Sequence, residues 1–132
     1  MAITIERIRE AYNMTGARPI AGEYHTFDGT HHACCALSVL YLEQFGAEAL
    51  ERALVSWMEG DAYDPAPTLA HDLEISPDYA KGVIDGFDGN ARYEEYVVEK
   101  VDDAAPYHNG YLLGEQARTV FIEAQHMLTA EG

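Results

Sequence analysis

The sequence is short of basic residues. Eight, of which only Lys81 and Lys100 are lysines, stand against 23 acids, leaving a net charge of −15. A sequence-independent grip on DNA or RNA phosphates needs a basic face, so direct nucleic-acid binding is excluded. Long apolar runs are missing too, and no stretch approaches the roughly 18 residues that cross a bilayer. Residues 1–10 carry acids and arginines where a secretory leader has a basic start followed by an apolar stretch. Cysteine is confined to the adjacent pair Cys34 and Cys35, which excludes a disulfide framework. These absences set the expectation of a cytoplasmic protein with no membrane association, in a bacterium or a phage-infected host.

What is present is enough for a core. Of 132 residues, 48% are hydrophobic, with nine tyrosines, four phenylalanines and a tryptophan. Disordered acidic chains lack that aromatic and aliphatic content. A chain of this size buries roughly two-thirds of its unfolded surface, so one domain over residues 1–132 is expected.

The apolar spacing predicts an all-α fold: five to six helices around a buried central one, with an ordered loop or short hairpin at 17–29. Thr4 caps a first helix to about Asn13, with Gly16 as its stop. Residues 17–29 carry Pro19, Gly22 and Asp28-Gly29. Thr30 is the expected cap of the central helix, about 31–45, which is apolar almost all round and closes at Gly46. A third helix covers about 47–59, with Leu50, Leu54, Trp57 and Met58 on one stripe. A short helix after Thr68 ends near Leu73. Ser76-Pro77-Asp78 starts the next, which the DGFDGN stretch at 85–90 ends. A fifth spans about 91–103 and the last about 107–128.

Two of these helices repeat one pattern. Tyr79, Gly82 and Gly86 follow Pro77, and Tyr107, Gly110 and Gly114 follow Pro106. Positions three and four apart share a helix face, so each helix presents a bare backbone strip topped by a tyrosine. Four helical glycines cost about 3–4 kcal/mol relative to alanine. Close helix–helix approach offsets such a cost, and a crossing at Gly82/Gly86 and Gly110/Gly114, covered by Tyr79 and Tyr107, is expected. Admission of a ligand to the backbone is the functional alternative.

The order of motifs is Tyr12, Thr15-Gly16, Pro19, Gly22, then Cys34-Cys35-Ala36-Leu37. Tyr79-x-x-Gly82, Gly86-Phe87-Asp88-Gly89 and Tyr107-x-x-Gly110-Tyr111 follow. This order resembles small, uncharacterised bacterial and phage-borne proteins in which a Thr-Gly-x-x-Pro loop precedes a cysteine-bearing helix. The likeness spans about Tyr12 to Gly114. It implies a shared fold and supplies no mechanism.

His31-His32-Ala33-Cys34-Cys35 is the sharpest chemical cluster. On a helix, His31 would face both thiols and His32 would face Cys35. A zinc site would take His31 and Cys35 with His25, or with Asp28 or His71. A thiol site would use a cysteine whose pKa the helix N-terminus lowers, with a histidine as base and Tyr24 and His25 lining it. The plainer reading makes the cysteines small core residues. Real metal motifs bring two separated ligand pairs and only one cluster is visible, so no cofactor is assigned, with zinc as the alternative.

Other patterns carry less. DGFDGN lacks the alternating oxygen ligands of a calcium loop. Residues 68–86 mimic a helix-turn-helix, but Asp78 and Asp85 would face phosphates with no base-reading side chain. Glu94, Glu95, Glu99, Asp102 and Asp103, with Tyr93 and Tyr96 among them, are the candidate partner-binding group. They suit either a solvated face, or salt tolerance, or a negative surface for a basic protein. The sequence favours a non-enzymatic interaction or regulatory protein, of which a phage-type inhibitor of a host nucleic-acid-binding system is an example. The tyrosine-rich surfaces also suit a homodimer. A small thiol- or zinc-dependent enzyme centred on His31, His32, Cys34 and Cys35 is the alternative.

Overall fold

In a computed structural model, residues 3–56, 65–89 and 104–123 are described. They are mostly helical, with one small sheet. Helix α1 (Ile5–Thr15) starts at Thr4, whose hydroxyl accepts the Arg7 N–H at 3.1 Å. It stops at Gly16, in the left-handed region at φ 72°, whose N–H returns to the Tyr12 carbonyl. Ile8, Ala11 and Tyr12 form its buried face.

Strands β1 (Arg18–Pro19), β2 (His25–Phe27) and β3 (His32–Cys34) follow, in the spatial order β1-β3-β2. β1 runs parallel to β3 and β2 antiparallel to it. The expectation of a mostly helical fold holds, while this small sheet departs from an all-α one and corrects the start of the central helix. Asp28-Gly29 makes the hairpin: one Asp28 carboxylate oxygen accepts the N–H groups of Thr30 and His31 at 2.8 and 2.7 Å. Thr30 is thus a turn residue and no cap. That local turn lets residues 32–34 pair with 25–27, and ladder hydrogen bonds replace the first helical turn.

The central helix α2 (Ala36–Phe45) begins at Cys35, whose sulfur accepts the Ser38 N–H at 3.5 Å. Residues 36–42 are all buried. Full burial of Leu37, Val39 and Leu40 stabilises the fold by roughly 1.5–3 kcal/mol apiece. Helix α3 (Ala47–Ser56) follows; Trp57 and Met58 lie outside the described residues. Helix α4 (Ala66–Leu73) has Pro65 as its N-cap, three residues ahead of the expected Thr68 cap. Proline's fixed φ suits that position and its missing N–H has no partner to lose there.

Helix α5 (Pro77–Asp88) has the expected Ser76 cap and ends at Gly89, at φ 79°. The expected helix over 91–103 lies outside the described residues. Helix α6 (Ala104–Arg118) starts earlier than expected and gives way to a π-helical turn, Thr119–Glu123. Thr119 donates its hydroxyl to the Glu115 carbonyl, a back-bond of the kind that disturbs helical geometry. Helix α2 touches α1, α3, α4 and α5, and the most extensive interface joins α5 to α6.

Candidate functional site

At the glycine crossing the backbones of α5 and α6 lie in direct contact. A Cβ on Gly82 would lie 2.2 Å from the Tyr107 carbonyl oxygen, and one on Gly86 2.3 Å from that of Tyr111. Reciprocally, Gly110 faces the Tyr79 carbonyl oxygen at 2.1 Å and Gly114 that of Val83 at 2.3 Å. Each partner is main chain, so no side chain can swing aside. Partners advance together along both helices, so α5 and α6 run in the same direction. Tyr107 is buried at the crossing and donates its hydroxyl to Asp85 at 2.6 Å, while Tyr79 is half-buried. The bare strips are filled by backbone, and the alternative of a ligand lying on them has no room. Beside Tyr79 an open cleft of about 450 Å³ reaches Ile3, Ser76 and Asn109.

At the C-terminal end of α5, Arg118 donates to the Phe87 carbonyl at 3.0 Å and so satisfies one of the last free carbonyls of that helix. Asp88 accepts the Gly22 N–H at 2.8 Å and ties the 20–24 loop to α5. Burial pushes the Asp88 carboxyl up, the Gly22 hydrogen bond opposes this, and Asp85 adds to it.

The His/Cys cluster sits where the hairpin meets α2. Because residues 32–34 are extended, side chains alternate, and the helical juxtaposition of His31 with Cys34 and Cys35 does not form. His31 is an exposed turn residue. Both thiols are free and buried. Burial, then the neighbouring Cys35, pushes the Cys34 thiol up to about 12. Burial also raises Cys35, against hydrogen bonding from Ser38. Helix-start activation of a thiol is thus outweighed by desolvation. Tyr12 donates its buried hydroxyl to the Cys34 carbonyl at 2.8 Å, fixing this junction against α1.

What the hairpin does bring together is His25 and His32, with Nε2 and Nδ1 2.7 Å apart. Phe27 stacks on His32 with ring centres 4.5 Å apart. The sequence grouped His25 with His31 and missed this pair. Its signal was the Asp28-Gly29 turn, which puts residues 25 and 32 on one face of a hairpin. His71 is exposed on α4 beside Asp72, and Tyr24 packs partly buried against the core. Among the described residues, no group of three or more His, Cys, Asp or Glu could hold a metal ion, so the zinc set His31, Cys35 and His25 is not assembled. Glu94, Glu95, Glu99, Asp102, Asp103, Tyr93 and Tyr96 lie outside the described residues. No described helix is long and apolar enough to cross a membrane.

Comparison of the chain with protein-family models, curated proteins and solved structures gives no match.

Proposed function

We propose that this is a non-enzymatic interaction protein whose acidic surface docks on a basic protein surface. The observation that carries the reading is the charge excess: were all eight basic residues paired, fifteen of the 23 carboxylates would remain. Glu6, Glu10, Glu23, Glu51 and Glu74 are exposed on the described surface. The sequence between α5 and α6 adds Glu94, Glu95, Glu99, Asp102 and Asp103, with Tyr93 and Tyr96 to supply contact area. Complementary charge speeds encounter and selects partners more than it deepens affinity. The partner class is a protein with a basic groove, of the kind that normally holds nucleic acid, and occupation of that groove would inhibit it.

A thiol enzyme at Cys34 and Cys35 is the weaker reading, since a nucleophilic thiolate needs access and a lowered pKa. The test is capture of bacterial lysate proteins on immobilised protein across a salt series, beside the variant E94Q/E95Q/E99Q. Basic nucleic-acid-binding proteins should be retained at about 0.05 M salt and released by about 0.5 M, where the screening length has shrunk about threefold. The variant should release them at lower salt. Retention indifferent to salt, or of proteins without basic character, would refute the proposal.

A further inference from the structure

The geometry points to a binding site for a divalent transition-metal ion, of the Zn2+ and Cu2+ class, held by the imidazoles of His25 and His32 on the β2–β3 hairpin. It is independent of the docking proposal and uses different residues. Register places His25 opposite Cys34 and Phe27 opposite His32, so the two histidines are diagonal neighbours on one face. Their rings lie within 25° of coplanar and meet nitrogen to nitrogen at 2.7 Å. Both side chains are half-buried, which leaves them rooted in the sheet with one side open to solvent.

Without a metal, such a pair shares one hydrogen between its facing nitrogens. A metal replaces that hydrogen, which moves to the far ring nitrogen through solvent, so each neutral imidazole offers a lone pair. At about 2.0–2.1 Å from the metal, two nitrogens on adjacent corners lie about 2.9–3.4 Å apart. The rings must therefore part by a few tenths of an ångström and tilt, within reach of χ2 rotation on two half-buried side chains. The stacked Phe27 ring fixes the plane of His32. Glu51 of α3 is close enough to His25 to act on its charge, and the net charge of −15 raises the local concentration of cations. Imidazole nitrogen selects zinc, copper or nickel, whereas calcium and magnesium require oxygen donors. With two protein ligands, the other coordination positions stay open to water or to a donor from another molecule.

The test is calorimetric titration of the full chain with Zn2+ at pH 7.5, with Ca2+ and Mg2+ as controls. One Zn2+ per chain should bind, and H25N and H32N should each weaken binding at least about tenfold, as loss of even an outer-shell partner does. H31N and C34S should leave it unchanged. Zinc binding weaker than about 1 mM, or binding lost in H31N or C34S but kept in H32N, overturns the assignment. Because a variant can fail to fold, circular dichroism accompanies each titration. Electron paramagnetic resonance of the Cu2+-loaded wild type gives a second readout: hyperfine coupling to two imidazole nitrogens is expected, and coupling to fewer than two refutes the site.

Discussion

Replacing Gly110 by alanine sets two effects of opposite sign against each other. In a helix interior alanine is favoured over glycine by about 0.8–1 kcal/mol, so propensity alone makes G110A stabilising. Packing says the reverse. The new Cβ would stand 2.1 Å from the Tyr79 carbonyl oxygen, and ordinary contact begins at 3.4 Å, so α5 and α6 must part by about 1.3 Å. Overpacking costs typically 1–3 kcal/mol, and a backbone neighbour that cannot rotate away puts this site at about 3. A gap of 0.5–1 Å already forfeits a quarter to a half of each dispersion contact along the interface. After the propensity gain, a net loss of about 2 kcal/mol remains, and at about 2–4 °C per kcal/mol the melting temperature should fall by roughly 4–8 °C. Thermal unfolding followed by circular dichroism measures it, with N109A, at the exposed neighbouring position, as a control expected to change little or rise. G82A should behave like G110A, and the double variant should lose less than the sum, because helices already parted by one methyl accommodate the second. A melting temperature that rises by a few degrees in G110A would refute the close approach.

Two further outcomes follow from the same geometry. The folded-state pKa of Asp88 is raised, so the folded chain holds that proton more tightly, and the contribution to stability is present at low pH and lost as pH rises through the folded value. D88N, which keeps an acceptor for Gly22, should therefore melt slightly higher than wild type at pH 7 and lose that advantage on acidification toward pH 3; a lower melting temperature at pH 7 refutes the burial argument. Cys34 and Cys35 should resist an aromatic disulfide reagent in the native protein and react fully in denaturant. With Cys34 pushed up to about 12, its thiolate fraction at pH 7.5 is below about one in ten thousand, and prompt native labelling would contradict the described burial.

Helix ends were the most legible part of the sequence. Thr4, Gly16, Ser76-Pro77 and Gly89 act where their side chains and allowed φ values indicate, because caps are decided by local chemistry. Residues 31–35 show where local reading stops. Their apolar run suits a helix, but a turn at Asp28 offers the same backbone a hydrogen-bonded partner in residues 25–27, and tertiary pairing prevails over propensity. Cysteine is an unusual helix cap, and its sulfur serves at Cys35 because the site is buried and Ser38 lies within reach. The same misreading hid the His25–His32 pair, since helical spacing groups neighbours in sequence while a hairpin groups residues across its turn. The glycine pattern carried its own explanation, as four costly residues on matching faces require something to fill both strips.

The common direction of α5 and α6 constrains how the chain can be shortened. An ordinary helical hairpin survives a connection of two or three residues because its helices are antiparallel. Here Gly89 and Ala104 belong to opposite ends of the pair, separated along its axis by about 20 Å at 1.5 Å per residue. At about 3.3 Å per extended residue, six is the fewest that reach. The fourteen residues 90–103 are more than twice that minimum, so the intervening chain can lose several positions before the glycine register is forced apart. Below six, α6 would have to turn end for end and pair its glycines with the wrong carbonyls.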